Sequence, residues 1–98
     1  MGKYLVLWEM DQSKVPISPQ ERGAAWEALM GVVKDDIAKG LTKDWGAFVG
    51  ELRGYSIVEG TEVEVASSLQ QYVPFALFKV HPIATVEHVD ELIKVLQE

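Results

Sequence analysis

The chain has 98 residues, 48% apolar and 24% charged, a balance that suits one globular domain and leaves no apolar run near the ~18 residues a membrane span requires. Its formal charge of −6 disfavours nucleic acid and anionic membrane surfaces, which call for a basic face. The absence of cysteine excludes disulfides, thiolate metal sites and cysteine nucleophiles.

The opening MGKYLVLWEM has too short an apolar run for a signal peptide and no small-residue cleavage site, so a cytoplasmic location is expected. Lys3 to Met10 reads as a strand, with Tyr4, Val6, Trp8 and Met10 on one face and Leu5, Leu7 and Glu9 on the other. A polar loop then leads to Ser18-Pro19-Gln20-Glu21, a helix start in which Ser18 caps, Pro19 takes the first position and Glu21 closes the box. The helix runs to about Lys39, with Trp26, Leu29, Met30, Val33 and Ile37 as its buried stripe, Asp35 paired with Lys39, and Gly40 as a left-handed cap. Asp35 and Asp36 together read as a solvated acidic face.

Asp44 to Leu52 alternates like an edge strand, and Arg53-Gly54 turns it tightly into a second strand, Tyr55 to Glu59. Thr61 and Glu64 form a capping box ahead of a short helix with Val65, Leu69 and either Tyr72 or Val73 inside. Pro74 to Ile83, PFALFKVHPI, is apolar on both faces for most of its length, as expected of a strand covered on both sides. Thr85 caps a last helix whose Val86, Val89, Leu92, Ile93 and Leu96 share one face, with Asp90 and Lys94 placed to pair on the other.

The order strand, helix, strand, strand, helix, strand, helix predicts a single α+β domain over residues 1–98 on the ferredoxin-like, split βαβ plan. Two helices then cover one face of a four-stranded antiparallel sheet, and the last helix is additional. With Tyr4, Val6, Trp8, Tyr55 and Ile57 expected on the face away from the helices, that face is an apolar patch in need of a cover.

The apolar first strand, the RGYSIVEG strand and FKVHPIATVEHVDEL, with its proline directly after the last strand, resemble the dimeric α+β barrel superfamily over almost the whole chain. The likeness is to its small members of unknown function. The resemblance implies a homodimer joined through the sheet face and a ligand cleft between sheet and helices, as in muconolactone isomerase-like proteins, YCII-like proteins and small antibiotic-biosynthesis-type monooxygenases. The monooxygenase pattern combines Asn, Trp and His, and this chain has no Asn, so that activity is not carried over.

Residues Arg53 to Glu59 also resemble the third-strand motif of RNA-recognition domains, but Ile57 replaces a stacking aromatic and Glu59 adds negative charge. An RNA-recognition-like module is therefore a minor alternative. As a small-molecule binder, the chain offers Trp8 and Tyr55 as ligand-binding residues. As a cofactor-free isomerase or lyase-type enzyme, it offers His81 with Lys79 on one strand face, approached by Glu9 or Glu59. The plainer reading of those four is as solvated strand-end charges. His88 reads as a helix-surface residue, and neither a metal nor a cofactor is expected, since no paired-histidine or glycine-rich phosphate motif occurs.

Overall fold

The computed structural model of the chain describes residues 2–98. Strand β1 (Gly2–Met10) is followed by a single 3₁₀ turn at Gln12–Lys14, helix α1 (Pro19–Ala38), β2 (Thr42–Ala47), β3 (Arg53–Gly60), α2 (Glu62–Gln70), β4 (Ala76–Pro82) and α3 (Val86–Gln97). The four strands lie in the order β2-β3-β1-β4, and every neighbouring pair is antiparallel. Helix α1 joins β1 to β2 past β3, and α2 joins β3 to β4 past β1, an arrangement compatible with the ferredoxin-like plan.

Local chemistry accounts for most boundaries. Ser18 accepts from the Glu21 amide with Pro19 at the first helical position, while the reciprocal bond expected from Glu21 is not formed. At α2 the full box is present, Thr61 accepting from the Glu64 amide and Glu64 from that of Thr61. Gly40 leaves α1 with φ +81, and Asp35 holds Lys39 at 2.8 Å. The β2–β3 connection departs from expectation. The strand ends at Ala47, the turn occupies 48–52 around Gly50 at φ +81, and Arg53-Gly54 already belongs to β3.

The faces of β1 are assigned the other way round from the sequence reading, whereas Tyr55 and Ile57 of β3 lie away from the helices as expected. Val6 is fully buried with Val58 and Val65, and Tyr4, Leu69 and Phe78 pack around them. Tyr4, Val6 and Trp8 therefore face the helices. Leu5 pairs with Ile57 and His81, and Leu7 with Tyr55 and Lys79, so these residues make the uncovered face. Both faces of β1 are apolar, so alternation separates the two sets without saying which one meets the helices.

The α1 stripe is also displaced by one residue at its end. Val33 is buried, but the next inward position is Asp36 and not Ile37, which is 47% exposed. Helix α3 has no substantial contact with any other element, and all of its residues are exposed. The molecule is accordingly 61 Å long, with a Cα radius of gyration of 16.2 Å, against about 13 Å for a compact domain of this length. No helix is long and apolar enough to cross a membrane among the described residues.

Candidate functional site: a tryptophan-walled cleft

Between the sheet and α1, the three tryptophans come together from three elements. Trp8 of β1 lies parallel to Trp45 of β2, with ring centroids 5.4 Å apart and planes 9° apart. Trp26 of α1 meets Trp8 edge-on at 6.3 Å. Stacked and edge-to-face pairs of this kind align the ring quadrupoles favourably. Trp8 is further fixed by its indole N–H, which donates to the Tyr55 carbonyl at 3.3 Å.

This geometry depends on Gly54, which pairs with Trp8 across the sheet. A β-carbon there would stand 2.1 Å from the Gly46 carbonyl oxygen and 2.5 Å from the Trp8 indole. The indole thus lies over bare backbone, which only glycine permits.

Two neighbouring spaces adjoin the cluster. A narrow gap of about 50 Å³ runs along Trp8, Trp45, Val58, Leu69 and Phe78. A wider, open-mouthed cavity of about 350 Å³ meets it at Met10, Trp26 and Leu29, and is also lined by Val15, Pro16, Ala25, Val32, Leu52 and Phe75. That volume falls in the range of small-molecule sites, about 300 to 1,000 Å³. Among the described residues, its charged lining consists of Lys14 and Arg22. Arg22 is half-buried and donates through Nη1 to the Pro16 and Ile17 carbonyls. Neither cation forms an ion pair among the described residues.

Behind the cleft, α1 and α2 are joined by a polar seam absent from the sequence reading. Asp36, 3% exposed, accepts from Ser68 Oγ at 2.8 Å and from Gln71 Nε2 at 3.3 Å. Burial first, and the Asp36 charge second, push the Tyr72 phenol from its ordinary 10.0 up to about 12. The spacing Leu29, Val33, Asp36 follows steps of four and three, so the periodicity contains this position. Its neighbour Asp35 is what gives the pair the look of a solvated face.

Of the residues read from sequence, Trp8 lines the cleft, and Tyr55 contributes its backbone carbonyl while its side chain lies on the opposite face. There the Tyr55 hydroxyl donates to Asp44 Oδ2 at 2.8 Å, and its ring stacks on Phe48. The Asp44 hydrogen bond, then burial and the Asp44 charge, raise the phenol above its ordinary value.

Lys79 and His81 stand on the uncovered face beside Leu7 and Leu5. Glu9 lies opposite Leu77 and is held by Arg53 at 3.2 Å, and Glu59 pairs with Lys3 across the sheet from β4. No carboxylate hydrogen-bonds to Lys79 or His81 among the described residues. His88 closes the start of α3, its Nδ1 accepting from the Thr85 amide at 3.0 Å. No group of acidic and histidine side chains suited to a metal ion occurs among the described residues. In comparisons with known proteins, no family model matches the chain and no curated protein matches its sequence.

Proposed function

We propose that the chain is a binding module for a small, flat, mainly apolar molecule with one anionic end, held in the cleft between the sheet and α1. The observation that carries this reading is the cavity of about 350 Å³, walled by Trp26, Met10, Leu29 and Phe75, whose charged lining is cationic in a chain of net charge −6. Apolar walls supply affinity, and a few placed polar groups supply orientation. Arg22 lines the cavity and spends only Nη1 on backbone carbonyls among the described residues, so its planar guanidinium suits a carboxylate. We further propose that the chain pairs with a second copy through the uncovered sheet face.

The rival reading, a cofactor-free isomerase or lyase-type enzyme using His81, has less support. A base of that kind needs a carboxylate partner and an enclosed site. Glu9 is engaged by Arg53, and both Lys79 and His81 are exposed.

Titration of tryptophan fluorescence with 1-naphthoate and with 1-naphthalenemethanol tests the binding reading. Both probes should quench, the acid more tightly, and Trp26→Ala should abolish the response. Arg22→Gln should weaken naphthoate about tenfold, the equivalent of about 1.4 kcal/mol, and leave the alcohol unchanged. Absence of saturable quenching by either probe in the folded protein would overturn the reading.

A further inference from the structure

Helix α3 presents a problem that its own chain leaves unsolved. Its Val86, Val89, Leu92, Ile93 and Leu96 form a continuous stripe, yet Leu92 is 53% and Leu96 74% exposed. Twelve residues make a helix that is marginal in water without a packed face. On the same molecule, the sheet face made by Leu5, Leu7, Tyr55, Ile57 and Leu77 has no covering layer among the described residues. Two unpartnered apolar surfaces thus belong to one chain.

Their joint keeps them apart. The backbone is held to β1 as far as Ile83, whose amide donates to the Lys3 carbonyl at 2.8 Å. Helix α3 begins at Val86, and reciprocal capping between Thr85 and His88 fixes its first turn. Only Ala84 and Thr85 lie between the last strand bond and the first helical turn, and α3 runs on from β4 without returning to its own sheet among the described residues.

We infer that α3 is an exchanged arm, its Val89-Leu92-Ile93-Leu96 stripe lying on the uncovered sheet face of a second copy, which returns its own α3. This deepens the pairing proposed above and rests on it. Dimensions agree: α3 is about 18 Å long and about 10 Å across, and a four-stranded face is about 14 Å wide. Charge agrees as well. Lys3 and Lys79 on the face form no ion pair among the described residues, and α3 carries Glu87, Asp90 and Glu91 against the single cation Lys94. The arrangement buries the apolar face and the apolar helix together, whereas direct contact between two sheets would leave α3 in water.

The absence of cysteine makes the test direct. Leu7→Cys and Leu92→Cys are placed on separate full-length chains, one carrying a mass tag, co-produced and oxidised, with Glu27→Cys on the outer side of α1 as the control partner. The expected result is a tagged–untagged disulfide between the Leu7→Cys and Leu92→Cys chains and none with the control. Equilibrium sedimentation of each variant reports whether pairing persists. Pairing with a disulfide only between two Leu7→Cys chains would overturn the arm inference and leave the dimer standing, with sheet packed on sheet. Single-chain mass in every sample at all concentrations would overturn the dimer and the arm together.

Discussion

Helices α1 and α3 make opposite use of their sequences. The stripe of α1 is irregular, with Trp26, Leu29 and Val33 turned inward, Asp36 among them, and Ile37 outside, yet it packs on the sheet and walls the cleft. The stripe of α3 is far cleaner, and nothing among the described residues covers it. A helix face separated into polar and apolar halves implies a partner without implying that the partner is in the same chain. Conversely, an acid on a packed face is tolerated where hydrogen bonds receive it, as Ser68 and Gln71 receive Asp36.

The largest effect should come from putting a charge into the packed helix. Val33 is 4% exposed, so Val33→Asp should cost about 4 kcal/mol or more in a denaturant titration, through a buried and unpaired carboxylate. The same chemistry in α3 should act on assembly. Leu92→Asp is expected to halve the solution mass while the cooperative unfolding of the isolated subunit moves by about 0.5 kcal/mol or less, as for an exposed site. Equal destabilisation of the subunit by both variants would remove the contrast between the helices.

How far the sequence carries this account depends on the kind of signal. Caps are legible because they rest on short-range chemistry: Ser18, Thr61 and Thr85 all accept at helix starts, and Gly40 ends α1 with positive φ. Element order is legible for the same reason. The side of the sheet that the helices take is not, because Val6 and Leu7 are equally apolar and only tertiary packing separates them. The β2–β3 turn is misplaced by the sequence pattern because Gly46, Gly50 and Gly54 all signal turns, whereas Gly46 and Gly54 serve the close approach of strands and rings. The cleft is expected in outline, but its three-tryptophan wall assembles from positions 8, 26 and 45, a proximity no local pattern contains.

Smaller effects sharpen the picture of the packed seam. Asp36→Ala leaves Ser68 and Gln71 without their acceptor and should cost about 1.5 kcal/mol by thermal or chemical unfolding. Asp36→Asn, which retains an acceptor, should cost less. Tyr72 makes the seam sensitive to alkali. Its folded pKa of about 12 lies above the ordinary 10.0, so the folded chain holds the phenolic proton more tightly. That contribution is complete below about pH 10 and is lost as pH rises through about 12, amounting to about 1 kcal/mol after solvent screening. Unfolding followed by tyrosinate absorbance should show the loss, and Tyr72→Phe should remove that part of it. At the small end, Lys39→Ala breaks the exposed Asp35–Lys39 pair and should change stability by about 0.5 kcal/mol or less.

A second copy of this chain is proposed to cover what the described fold leaves uncovered. Light scattering of the unaltered protein across a dilution series tests it most directly. The account predicts a mass twice the 10.9 kDa of the chain, holding until dilution separates the copies. A constant 10.9 kDa from the highest concentration downward would contradict it, leaving α3 and the open sheet face without the partner assigned to them.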